Sequence, residues 1–139
     1  MKPKESDRFL LDTSALLALH FNEEGADRVE AILRSAEKEQ ALVFISFVSR
    51  MEMLYVIWKD HGRQKAIESI HYLDQLPINI IESNEEILFK AAEVKATIPL
   101  SFADSWVAAT AIQENACLVH KDPEFDSLKD IVQMIRLVE

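Results

Sequence analysis

Short apolar, β-branched runs alternate along this chain with longer stretches in which apolar positions recur every three or four residues. The first pattern falls at Arg8–Leu11, Val43–Ser46, Ile78–Ile81, Ala116–His120 and Met134–Val138, and it predicts strands. The second predicts helices from Thr13 to about Leu19, then over Glu24–Gln40, Ser49–Lys59, Arg63–Leu76, Glu85–Thr97 and Phe102–Gln113. Asn22, Ser83 or Asn84, and Ser101 stand where helix N-caps are wanted. Helices inserted between strands point to an α/β fold of parallel strands joined by crossover connections.

The chain of 139 residues, 49% hydrophobic, suffices for one well-buried core and is short for two domains. Ala41–Trp58 is the one membrane-like stretch, but Arg50 and Glu52 sit inside it. Each would cost about 2.5–3.5 kcal/mol at the centre of a bilayer, so a buried strand followed by a helix is expected instead. The polar start of the chain lacks the apolar segment of a signal peptide, and no membrane association is expected. A formal charge of −9 argues against a protein that coats nucleic acid, though not against a local basic strip. Arg50, Lys59, Arg63 and Lys65, facing only Glu52 and Asp60 between positions 50 and 66, present such a strip if Glu52 points at a metal; the plainer reading is that they are ordinary solvated cations. The single cysteine, Cys117, excludes an intrachain disulfide and a multi-cysteine zinc site and fits a reducing, cytoplasmic setting. There is no glycine-rich phosphate loop and no His-x-x-x-His pair.

Four acids stand beside or inside apolar runs: Asp12, Glu52, Asp104 and Asp122. A buried carboxylate must take up a proton or find a counter-charge, and four scattered carboxylates share one solution if they converge on a divalent cation. Asp12 and Asp122 are placed at strand ends, Glu52 and Asp104 in first helical turns. In an open α/β sheet these addresses lie on one edge, where ligands bind. Each acid also has a plainer reading. Ser49-x-x-Glu52 has the form of a capping box, Ser101-x-x-Asp104 is its aspartate version, Asp12 can cap the helix from Thr13, and Asp122 before Pro123 suits a turn. Capping and metal binding are compatible. Asp104 sits in a helix apolar nearly all round, and Thr13 and Ser14 place two hydroxyls beside Asp12. A site made of carboxylate oxygens suits Mg²⁺ or Mn²⁺.

Leu11-Asp12-Thr13-Ser14, Glu52 after Ser49, Ala103-Asp104-Ser105 before Val107-Ala108-Ala109, and Lys121-Asp122-Pro123-Glu124-Phe125 occur in an order that resembles the PIN-domain nucleases. Within that group the chain is similar to the VapC-type toxins of toxin–antitoxin pairs. The resemblance implies a single PIN-like domain over residues 1–139, with a parallel central sheet of about five strands flanked by helices on both faces. It implies a Mg²⁺- or Mn²⁺-dependent endoribonuclease that leaves a 5′-phosphate and a 3′-hydroxyl. Asp12, Asp104 and Asp122 would be direct or water-mediated ligands, and Glu52 would orient or deprotonate the attacking water or serve as a further ligand. Arg50 and Lys121 are candidate phosphate contacts. The implied partners are RNA, a small antitoxin protein and a second copy of the chain. Leu54, Tyr55, Ile57, Trp58, Ile70, Tyr72 and Leu73 exceed what one face of two helices hides, which also favours a partner surface. Departures from the family pattern are His120, where a small hydroxyl residue is usual, and Glu124, where an aspartate or asparagine is common, so that its part in the site stays open. A stand-alone PIN nuclease of RNA maturation and a non-catalytic PIN-like interaction module are the alternatives.

Overall fold

The computed structural model describes residues 7–138. The elements run β1 (Arg8–Leu11), α1 (Thr13–His20), α2 (Ala26–Glu37), β2 (Leu42–Ser46), α3 (Phe47–His61), α4 (Arg63–Asp74), β3 (Asn79–Ile81), α5 (Glu85–Thr97), α6 (Phe102–Gln113), β4 (Cys117–His120), a 3-10 helix (Pro123–Leu128) and β5 (Met134–Arg136). The five strands form one sheet in the order β3-β2-β1-β4-β5, and every pairing is parallel.

Alternation along the strands sorts the core into two layers. Leu11, Val43, Ile45 and Val119 face one side, where they pack with Leu16, Val29, Met53 and Ile57 from the first three helices. Leu10, Phe44 and Leu118 face the other, against Val94 of α5 and Val107, Ala108 and Ala111 of α6. Both faces of the sheet are thus covered by helices, as buried parallel strands require. The chain builds outward from β1 through β2 to β3, then returns to the far side of β1 for β4 and β5. The crevice at the C-terminal ends of β1 and β4 is therefore the topological switch point.

Several boundaries differ from the sequence expectation for local reasons. Helix α3 begins at Phe47 because Ser46, the last residue of β2, caps it, its Oγ accepting the Val48 N–H at 3.2 Å. Ser49 is consequently inside the helix and buried, so the Ser49–Glu52 capping box does not form and Glu52 lies in the second turn. Asn22 does not cap α2; it adopts φ 52°, and Gly25, at φ 97°, stands at the N-cap. Strand β5 is shorter than expected, ending at Arg136. Asn84 and Ser101 do cap α5 and α6, accepting the N–H groups of Ile87 (2.8 Å) and Asp104 (3.1 Å). The apolar stretch from Ala41 becomes β2 and α3, and among the described residues no helix is long and apolar enough to cross a membrane.

Gly25 joins the start of α2 to the last described segment, since a Cβ there would come within 2.8 Å of the Leu137 Cβ. Gly62, at φ 92°, has nothing within 4 Å of such a Cβ. Both substitutions to alanine strain a left-handed backbone, but only Gly25→Ala also displaces a packed side chain. Denaturant titration should show Gly62→Ala losing about 1 kcal/mol and Gly25→Ala about 2–4 kcal/mol. Equal losses would mean that Leu137 yields without cost.

Candidate active site

Asp12 follows β1 directly and caps α1. Its Oδ1 accepts the Ala15 N–H (2.9 Å) and the Ser14 hydroxyl (2.7 Å). The Ser14 oxygen in turn accepts the Lys121 N–H at 3.0 Å, and the Asp12 N–H donates to the Val119 carbonyl at 3.1 Å. The ends of β1 and β4 are stitched together through these bonds. Asp12 is only 4% exposed, and burial pushes its carboxyl up to about 6. The Ser14 and Ala15 bonds oppose that rise, while the charges of Asp122 and Glu52 add to it.

Glu52 reaches the same edge from α3. The Thr13 hydroxyl donates to its Oε1 at 2.6 Å and lies 3.2 Å from the Ser49 Oγ. A hydroxyl has one hydrogen, so Thr13, having given its own to the carboxylate, receives that of Ser49. Asp122 caps the 3-10 helix, its Oδ1 accepting the Glu124 N–H at 2.9 Å, while its own N–H donates to His120 Nδ1 at 3.1 Å. His120 is buried, and that burial lowers the pKa of its imidazole.

Asp104 comes from the first turn of α6, half-buried. Burial is the main reason its carboxyl is pushed up to about 7. A hydrogen bond with Glu124 and the charges of Glu124 and Asp122 raise it further, against the bond to Ser101. Carboxylate oxygens of Asp104, Asp122 and Glu124 all lie within 4.8 Å of one another. Asp12 is outside this triad but feels the charge of Asp122, so the acids form a chain from Glu52 through Asp12 and Asp122 to Asp104 and Glu124.

Glu124 is the residue whose part in the site the sequence left open. Its Oε1 accepts the Ser101 N–H at 2.7 Å, which ties the 3-10 helix to the N-terminus of α6. The available signal was its place two residues after a capping aspartate, where its N–H would be taken by Asp122.

Two cations of the basic strip are paired with acids of α4, Arg50 from across and Lys65 within the helix. Arg50 grips Asp74 with two nitrogens, at 3.1 and 2.7 Å, and Lys65 lies 3.9 Å from Glu68. The Arg63 guanidinium stacks 5.7 Å from the Trp58 ring centroid. Lys121, beside Asp122, is 3.4 Å from Glu23. Of the apolar residues assigned to a partner surface, Ile57 and Leu73 are buried in the core, whereas Tyr55, Trp58 and Tyr72 are about half exposed.

A family profile described as "PIN domain" matches residues 9–131. The chain belongs to the PIN domain family. No curated protein matches it. Among solved structures, this PIN domain is similar to VapBC-1 from nontypeable Haemophilus influenzae, with 23% identity, a TM-score of 0.73, and coverage of 94% of this chain and 98% of that one. It is also similar to VapBC2 from Rickettsia felis, solved bound to a DNA fragment from their promoter (18% identity, TM-score 0.73, 93% and 98% covered). Mycobacterium tuberculosis VapC20, described as a sarcin-ricin loop cleaving toxin, shares the fold at 16% identity and TM-score 0.65, with 86% of this chain and 93% of that chain covered. At these identities the likeness concerns the fold, and the chemistry of this PIN domain has to be argued from its own residues.

Raised carboxyl pKa values have a stability consequence with a definite sign. Asp12 and Asp104 bind protons more tightly folded than unfolded, so their contribution is fully present below the unfolded carboxylate range and is lost as pH rises through about 6 to 7. In chelator, the melting temperature should therefore rise as pH falls from about 8 to about 5, and Asp104→Asn should flatten that rise. A melting temperature that falls over this range in wild type would show that the cluster is not desolvated.

Proposed function

We propose that this PIN domain is a Mg²⁺- or Mn²⁺-dependent endoribonuclease and the toxin of a toxin–antitoxin pair. The observation that carries the reading is the triad of Asp104, Asp122 and Glu124 oxygens within 4.8 Å, flanked at the switch point by Asp12 and Glu52. Such a donor set is all oxygen and fits a hard divalent cation. The fit is also electrostatic, since burial first, and then Glu124 and Asp122, disfavour an uncompensated charge on Asp104. Asp12, Asp104 and Asp122 would hold the ion, directly or through water, with Glu124 close enough to join them. Bound there, the cation would draw in the scissile phosphate, lower the pKa of a nearby water and neutralise charge on the departing oxygen.

The protein's own part is alignment and proton transfer. Thr13 orients Glu52, which takes the proton of the attacking water as the water oxygen bonds to phosphorus. The bond from phosphorus to the 3′ oxygen breaks, that oxygen gains a proton from solvent, and the products are a 5′-phosphate and a 3′-hydroxyl. Lys121 supplies a cation for the flanking phosphate once it exchanges Glu23 for RNA. Arg50 can serve in the same way only by leaving Asp74. RNA as substrate and the toxin role are supported by the VapC20 likeness and by the several VapBC assemblies of the same fold. The protein would act in the cytoplasm, silenced by a small antitoxin and paired with a second copy. A PIN nuclease of RNA maturation uses the same site, and growth arrest on expression, relieved by the product of a neighbouring gene, separates the two. Against a purely interacting module stands the clustering itself, because solvated caps need no shared crevice.

The purified protein should cut RNA with Mg²⁺ or Mn²⁺ and stop in EDTA. A glutamine oxygen can still accept the Thr13 hydroxyl, so Glu52→Gln should cost about 1 kcal/mol or less in stability while lowering cleavage on the order of a hundredfold. Cleavage in excess EDTA, or a Glu52→Gln protein at wild-type rate, contradicts the mechanism.

Self-association is expected through the exposed rings of Tyr55 and Trp58. Sedimentation should find a dimer at micromolar concentration, and Trp58→Lys should shift it toward monomer while the circular dichroism spectrum of the fold is kept. A wild-type monomer under those conditions removes the dimer from the account.

A further inference from the structure

The geometry points to His120 as a positioning residue for the carboxylate cluster, acting as a hydrogen-bond acceptor through Nδ1. The inference rests on the reading of Asp104, Asp122 and Glu124 as a cation site. His120 is 1% exposed and is the last residue of β4. Its backbone is held from the side, paired with Arg136 and with its carbonyl accepting the Leu137 N–H at 2.8 Å. Its ring meets the fully buried ring of Phe125 edge-on, with centroids 5.1 Å apart at 65°. Strand and ring contacts together leave the imidazole little freedom.

The bond it makes dictates its tautomer. A backbone N–H can only donate, so the Asp122 N–H at 3.1 Å requires a lone pair on Nδ1 and places the ring proton on Nε2. Asp122 is extended (φ −102°, ψ 118°), and its N–H precedes the 3-10 helix, with no carbonyl of that helix to take it. His120 therefore fixes the backbone of the residue whose carboxylate faces the site.

From there the bonds continue without a gap. Asp122 Oδ1 takes the Glu124 N–H (2.9 Å), Glu124 Oε1 takes the Ser101 N–H (2.7 Å), and Ser101 Oγ takes the Asp104 N–H (3.1 Å). One anchored ring at the end of β4 thereby sets all three carboxylates of the triad relative to the sheet. Partners of this kind, one step removed from a cation, are typically worth 10–100-fold in affinity. A ring that merely fills space would need the right volume and no acceptor.

The test uses the full-length protein without RNA. Long-range ¹H–¹⁵N NMR of the metal-free protein should show the His120 proton on Nε2, and calorimetric titration should give the Mn²⁺ affinity. His120→Leu, of similar volume without an acceptor, should weaken Mn²⁺ binding about tenfold or more. His120→Asn, whose Oδ1 can take the place of Nδ1, should stay within about threefold of wild type while melting no higher than the leucine variant. A proton on Nδ1, an asparagine variant as weak as leucine, or a leucine variant that binds like wild type overturns the inference. If the leucine variant does not fold, the tautomer and the asparagine titration still decide it. Wild-type protein that binds no Mn²⁺ overturns it together with the cation site, whereas this pattern of Mn²⁺ binding without RNA cleavage overturns only the nuclease reading.

Discussion

Mutual repulsion among carboxylates at one sheet edge is the constraint around which the rest of this structure is arranged. Asp104, Asp122 and Glu124 crowd within 4.8 Å, and Asp12 is buried beside them. Left alone, such a group relaxes by moving apart or by taking up protons, and the carboxyls of Asp12 and Asp104 are raised to about 6 and about 7, by burial first and by the neighbouring acids in addition. The first response is blocked by the fold. Parallel strands bring the ends of β1 and β4 side by side, and the return of the chain across the sheet delivers α6 to the same crevice.

The acids are locked by the same bonds that start the helices. Asp12 caps α1, Asp122 caps the 3-10 helix, and Ser101 caps α6 while donating its N–H to Glu124. Asp12, Asp122 and Glu124 each commit one carboxylate oxygen to a backbone N–H, which fixes the direction of the other. Capping and cation binding are therefore two uses of one geometry, and the backbone donors at these helix starts partly offset the repulsion the cluster creates. A capped carboxylate is also pre-ordered, so that binding a cation demands little reorganisation.

Much of this was legible in the sequence, for physical reasons that also mark its limit. Strands buried on both faces read as apolar runs, and the acids at their ends stood out against that background. The α/β class and Asp12, Glu52, Asp104 and Asp122 follow from local pattern and topology. Features that depend on distant pairing did not show. Asp74 reaches Arg50 across 24 positions and pairs one cation of what looked like a free basic strip. Glu124 meets Ser101 across 23 positions, and only that meeting places it in the cluster. The start of α3 was misplaced by two residues because Ser46 ends a strand and caps a helix at once, leaving no loop to mark the boundary. Ile57 and Leu73 looked surplus on two amphipathic helices and proved to be core, since α3 packs on the sheet and α4 packs on α3.

On so acidic a chain, a bound cation would supply local attraction for a phosphate where the nearby Arg50, Lys65 and Lys121 each already face an acid. A divalent cation would therefore sit at the switch point between β1 and β4. Anomalous diffraction from crystals of the protein soaked in Mn²⁺ tests it most directly. The account predicts a manganese peak bounded by oxygens of Asp104 and Asp122, lost in Asp104→Asn. A peak elsewhere, or none at a concentration of Mn²⁺ that supports cleavage, would contradict it.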